Sequence, residues 1–194
     1  MHTATARPSP LLQSSQMAEV RVLIIDDNPS FMELLSAALS TVDGIECVGA
    51  ASSAAEGLQR VAELRPSLVV MDISMPGLDG LSATRQLRRL SPGTAVAVVS
   101  AYGEGEWIAR AADAGASAYV PKGGSLSEMV EVLRAARPGS MMVAPSLSAV
   151  WTAWNTTEPV RDDCGSGTQQ EGPGLQRVMT TLRAFVSAAR LKVS

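Results

Sequence analysis

The chain has 194 residues, 46% hydrophobic and 18% charged, enough apolar material for one buried core with appendages. No apolar run approaches the roughly 18–20 residues of a membrane helix, and the opening stretch, with one Arg and only Leu11-Leu12 as an apolar block, does not read as a secretion signal. The net charge of −3 is uneven, with 10 basic and 15 acidic side chains in residues 19–138, so the main body is a poor match for a phosphate backbone.

In chain order, residues 1–18 read as a disordered extension, with Met17 a candidate translation start just before the first strand, VRVLII at 20–25. Asn28-Pro29 then supplies a helix cap followed by proline at the first helical position. Phe31, Leu34, Leu35, Ala38 and Leu39 share one face of that helix. IECVGA at 45–50 is the second strand, with Cys47 as a small core residue, and Ser53-Ala-Ala-Glu56 reads as a capping box opening the second helix. SLVVM at 67–71 and TAVAVVS at 94–100 are nearly continuous apolar runs, the pattern of parallel strands covered on both faces. Between them Asp79 reads as a turn or cap residue and Gly80 opens the third helix; Gly103 to Ala114 makes the fourth. SAYV at 117–120 is the fifth strand, and Ser125-Leu-Ser-Glu128 caps a fifth helix in which Leu126, Met129, Val130 and Leu133 recur at helical spacing.

Residues 139–154 form a short helical extension, helical from 146, with Leu147, Val150, Trp151 and Trp154 on one side. Residues 155–174 are polar and turn-forming, a linker that contains Cys164. Residues 175–194 form a last amphipathic helix with Arg177, Arg183, Arg190 and Lys192 and no acidic residue, suited to DNA, an anionic membrane, a partner helix or simple self-packing. Five βα units predict an α/β fold: a doubly wound parallel sheet with helices on both faces, occupying residues 19–138 as one domain.

Sites in such sheets form beyond the carboxyl ends of the strands. There the sequence sets Asp26-Asp27 after the first strand, Asp72 after the third, Ser100 at the end of the fourth and Lys122 just past the fifth. Three clustered carboxylates repel one another unless a cation intervenes, and hard oxygen ligands with room for water suit Mg²⁺. A phosphoryl group entering such a pocket would need the metal, Lys122 and hydrogen-bond donors, and Asp72 could act as the nucleophile. His2, the single histidine, lies in a Pro- and Ser-containing tail, so the phosphoryl donor must come from outside the chain, and His-ligated metal sites are ruled against. Two cysteines without C-x-x-C spacing exclude a disulfide framework, and seven aromatics offer no base-stacking platform.

The runs VRVLIIDDNPSF, VVMDISMPGLDGL, VVSAYG and GASAYVPKG, matching in order and spacing over about residues 19–150, closely resemble the receiver domain of bacterial two-component response regulators. AASSAAEGL and KGGSLSEMVEVLRAARPG look most like the NarL/FixJ subfamily, which usually carries a LuxR-type helix-turn-helix output. The resemblance implies a flavodoxin-like five-stranded sheet of order 2-1-3-4-5. It implies Asp72 as phosphoacceptor, Mg²⁺ held by Asp27 directly and Asp26 mostly through water, the Ser74 backbone carbonyl in the metal shell, Ser100 and Lys122 on the phosphoryl group, and Tyr119 as the aromatic switch with Ser100. It further implies a sensor histidine kinase as donor, a homodimer or downstream protein as partner, a cytoplasmic location and no independent turnover.

Two departures stand out. Lys122 is followed by Gly123 and preceded by Pro121, so the cis peptide the family often has after its lysine is not expected. The C-terminal stretch shows no recognition-helix pattern, which leaves a transcription regulator with a degenerate or lost DNA-binding output as the alternative to a stand-alone receiver. An aspartyl-phosphate phosphatase of the haloacid-dehalogenase type would need a second Asp two positions after the nucleophile, where this chain has Ser74.

Overall fold

A computed structural model describes residues 19–156 of the chain. Strands β1 (Val20–Ile25), β2 (Ile45–Ala51), β3 (Leu68–Asp72), β4 (Ala95–Ser100) and β5 (Ala118–Pro121) alternate with helices α1 (Pro29–Leu39), α2 (Ala54–Leu64), α3 (Gly80–Leu90), α4 (Gly105–Asp113) and α5 (Leu126–Ala135). The five strands are parallel in the order β2-β1-β3-β4-β5, as the resemblance implies.

A sixth strand, β6 (Met142–Val143), adds to the edge of β5 and extends the expected five-stranded sheet. Its two residues are too few to carry a periodic signal. It forms because the Met142 and Ala144 N–H groups donate to the Ser117 and Tyr119 carbonyls, at 3.0 Å each, and so cover an otherwise open edge. A 3-10 turn (Pro145–Leu147) and helix α6 (Ser148–Thr156) follow, so Asn155 and Thr156, read as the start of the linker, are helical. The expected N-terminal extension with His2 and Met17, the rest of the linker with Cys164, and the last amphipathic helix lie outside the described residues.

Alternation along the strands divides the core. Val22 and Ile24 of β1 join α1 and α5 on one face, while Leu23 and Ile25 join α2, α3 and α4 on the other. Every residue of β3 and β4 is buried, which accounts for their continuous apolar runs. Cys47 is half-buried against the first of these faces, with the Ser36 hydroxyl 3.3 Å from its sulfur.

Four helix starts read from the sequence are present, Asn28, Ser53, Asp79 and Ser125 each accepting a backbone N–H of the first turn, whereas the fourth helix, expected from Gly103, begins at Gly105. The two capping boxes are only half closed. The Glu56 carboxylate accepts from the Ser52 N–H at 3.0 Å, and the Glu128 carboxylate accepts from the N–H of Ser146 in the C-terminal extension. Local spacing fixes the cap hydroxyl; tertiary neighbours chose the partner of the glutamate. Ser125→Ala should therefore destabilise the fold by about 1 kcal/mol, read as a lower urea midpoint at unchanged m-value. All peptide bonds among the described residues are trans, Val120–Pro121 included, and no helix among them is long and apolar enough to cross a membrane.

Candidate functional site

Because the strands run parallel, the carboxyl ends of four of them bring five side chains to one edge of the sheet. Asp26 and Asp27 follow β1, Asp72 ends β3, Ser100 ends β4 and Lys122 follows β5. Asp26, Asp72, Ser100 and Lys122 are buried, whereas Asp27 is exposed at the mouth. One carboxylate oxygen from each of Asp26, Asp27 and Asp72 lies within 4.8 Å of the other two. The Lys122 Nζ bridges two of them, 2.6 Å from Asp26 Oδ2 and 3.0 Å from Asp72 Oδ1.

Backbone geometry holds the charged groups. The Asn28 N–H donates to Asp26 Oδ1 at 2.9 Å, and the Lys122 N–H donates to the Ser100 carbonyl at 2.7 Å. That second bond ties the lysine and the serine to one peptide contact between neighbouring strand ends. Ser74 lies exposed in the loop two residues beyond Asp72, outside the ion-pair network.

Burial dominates the electrostatics. It pushes the Asp26 carboxyl up to about 6, with Lys122 opposing and Asp72 adding to the rise. Asp72 is likewise raised, by burial first, against the pull of Lys122. For Lys122, burial works against the charge, but Asp72 and Asp26 outweigh it and hold the ammonium above its ordinary value. One ammonium facing three carboxylates leaves the pocket formally negative by two, a donor set of hard oxygens that fits Mg²⁺ in charge and type.

Tyr119 is fully buried, and its hydroxyl donates to the Tyr102 carbonyl at 2.8 Å. Burial pushes its phenol up, the Ser100 hydroxyl nearby working the other way. The Tyr102 N–H in turn donates to Ser100 Oγ at 3.1 Å, so Ser100 and Tyr119 meet through one residue of the β4–α4 loop. Sequence reasoning missed Tyr102, although its place two residues after Ser100 was a usable signal. It also read Phe31 only as a core residue; the Lys122 Nζ sits 4.7 Å from the centre of its ring, a cation–π contact inside the pocket.

A family model for the response regulator receiver domain matches residues 22–134. The response regulator GacA of Pseudomonas viridiflava is 37% identical over 129 residues, covering 66% of this chain and 60% of that protein. The match thus spans about three-fifths of that relative's length. Among solved structures, the receiver domain of the response regulator NarL from Mycobacterium tuberculosis aligns with a TM-score of 0.54 at 26% identity, over 72% of this chain and 98% of that one. A LuxR-family two-component response regulator from Aurantimonas sp. SI85-9A1 aligns at 0.63 and 24% identity, over 72% of this chain and 99% of that one, a likeness of fold.

Proposed function

This chain belongs to the response regulator receiver domain family, and we propose that it is a phosphorylation-controlled switch in which Asp72 accepts a phosphoryl group from a sensor histidine kinase. The observation that carries this reading is the Lys122 ammonium held between Asp26 and Asp72, with Asp27 completing the acidic cluster. Such a pocket suits a reaction in which positioning and charge neutralisation do most of the catalysis.

An Asp72 carboxylate oxygen attacks the phosphorus of the donor phosphohistidine. An O–P bond forms, the N–P bond breaks, and the leaving imidazole takes up a proton. Asp26, Asp27 and Asp72, with the Ser74 carbonyl, would hold Mg²⁺, which neutralises phosphoryl oxygen charge when bound. Lys122 pairs with the incoming group and the Ser100 hydroxyl hydrogen-bonds to it. The bond from the Lys122 N–H to the Ser100 carbonyl couples the two strand ends that carry these side chains. Ser100 moving inward disturbs Tyr102, whose carbonyl holds the Tyr119 hydroxyl, and so biases the α4–β5 face toward a second arrangement. Inverting a 1:99 population would take about 5.5 kcal/mol of differential interaction; a smaller bias is enough for regulation.

In this reading the chain is a self-catalysed phosphoacceptor without independent turnover. It acts in the cytoplasm through a homodimer or a downstream protein, from a domain at 19–138. A transcription regulator with a degenerate or lost DNA-binding output is the second reading, favoured by the four basic and no acidic side chains of residues 175–194. A profile of phosphotransfer from phosphorylated histidine kinases tests the first: rapid transfer, giving an alkali-labile, hydroxylamine-sensitive label, is expected. Failure to label from any kinase or from acetyl phosphate with Mg²⁺ would overturn it. A salt-dependent mobility shift on DNA would favour the second reading.

A further inference from the structure

The C-terminal extension crosses the loop through which Ser100 reaches α4. β6 runs along β5 with Val143 in register with Tyr119. The 3-10 turn then lays Leu147 over Gly103, where a Cβ would stand 3.3 Å from the Leu147 Cδ2. Helix α6 lays Trp154 over Gly105, where a Cβ would stand 2.6 Å from the Trp154 Cβ, so only glycine admits this contact. On the same loop, Tyr102 donates to Ser100 Oγ, accepts from Tyr119, and stacks on Trp107 of α4 with ring centres 4.8 Å apart.

Two observations mark the contact as weakly held. Helix α4 has no side-chain hydrogen bond at its N-cap, Glu104, unlike α1, α2, α3 and α5. Helix α6 buries none of its residues fully, and Val150 and Trp154 remain 39% and 44% exposed. The seat of α6 therefore depends on the close fit of Trp154 at Gly105 and on Trp151, half-buried against the core.

We propose that α6 is a latch on the Ser100–Gly105 loop, seated through Trp154 on Gly105 in the unphosphorylated protein and released when Ser100 turns toward a phosphoryl group on Asp72. The latch rests on the receiver reading above. Drawing Ser100 inward pulls on the Tyr102 N–H, and the Tyr102–Trp107 stack carries the displacement to the first turn of α4, where Trp154 sits. Linkage makes the coupling reciprocal: if phosphorylation loosens α6, loss of the α6 contact must favour the phosphorylated arrangement by the same factor.

The test uses the full chain with 5-fluorotryptophan at its three tryptophans, each fluorine resonance assigned by a Trp→Phe substitution. Beryllofluoride with Mg²⁺ serves as the phosphoryl mimic, its binding followed independently by its own fluorine resonance and by calorimetry. The Trp154 resonance should move to a solvent-exposed position when the mimic binds, and Trp154→Ala should raise affinity for the mimic about fivefold, the lower end of ordinary coupling. Gly105→Ala should show the released resonance without the mimic. If the mimic binds but Trp154 stays seated, or Trp154→Ala binds it no more tightly than wild type, the latch is overturned and the phosphoryl site stands. A seated resonance in Gly105→Ala would overturn the latch as well. If the mimic does not bind the wild-type chain, the receiver reading fails and the latch with it.

Discussion

Asp72→Asn will abolish labelling from acetyl phosphate and binding of beryllofluoride with Mg²⁺, and it will raise the melting temperature of the metal-free protein. The first effect follows from chemistry: an amide is no nucleophile toward phosphorus and is a poor ligand for a hard divalent cation. The second follows from burial, which raises the folded-state pKa of Asp72 above its ordinary 3.8. A carboxyl whose pKa rises on folding costs stability as it ionises, a cost that grows from its unfolded value upward and is complete above its folded value. Asn removes the charge, keeps the shape, and leaves Lys122 its 2.6 Å pair with Asp26. Labelling that persisted in the variant would dispose of the aspartyl phosphate. A lower melting temperature would mean that the Lys122–Asp72 ion pair outweighs the desolvation of Asp72.

Gly80→Ala carries the largest structural effect. A Cβ at this position would stand 1.8 Å from the Asp72 carbonyl oxygen and 3.0 Å from the Ile73 Cα, both backbone atoms that no rotamer change can move aside. The Gly80 N–H also donates to the Ile73 carbonyl at 3.0 Å, so the start of α3 is pinned against the strand end bearing Asp72. Overpacking usually costs about 1–3 kcal/mol; a clash with rigid backbone at the end of a buried strand should reach or exceed the top of that range. A loss of roughly 3 kcal/mol corresponds to a fall in melting temperature on the order of 10 °C. Phosphoryl transfer should drop with it, since either α3 or the end of β3 has to yield. A variant as stable and as readily labelled as wild type would show that the close approach of α3 to Asp72 is not required.

Gly80 also marks where sequence reasoning stops. Its place after Asp79 announced a helix start, and the Asp79 side chain does accept from the Ser82 N–H and hydroxyl, at 2.9 and 2.7 Å. Nothing in the local pattern said that the same glycine lies against the backbone of Asp72, because a close approach between elements leaves no periodic trace. Phe31 behaves alike: helical spacing assigned it to the core, and only the folded chain brings Lys122 over its ring. The capping glutamates show the same division, since Ser53 and Ser125 cap as their spacing requires while Glu56 and Glu128 turn to Ser52 and Ser146.

The acidic pocket, by contrast, was legible almost residue by residue. Alternation of buried strands with capped helices dictates a parallel sheet, and parallel strands send all their carboxyl ends to one edge. Asp26, Asp27, Asp72, Ser100 and Lys122 therefore had to gather once the strands were recognised. The route outward from the pocket was decided by tertiary structure. A two-residue β6, the turn of Tyr102 between Ser100 and Tyr119, and Trp154 seated on Gly105 depend on contacts between segments far apart in the chain. Chemistry placed at strand ends follows from chain direction and period, which are local properties; the fit of a loop beneath a helix depends on distances that exist only after the chain has folded.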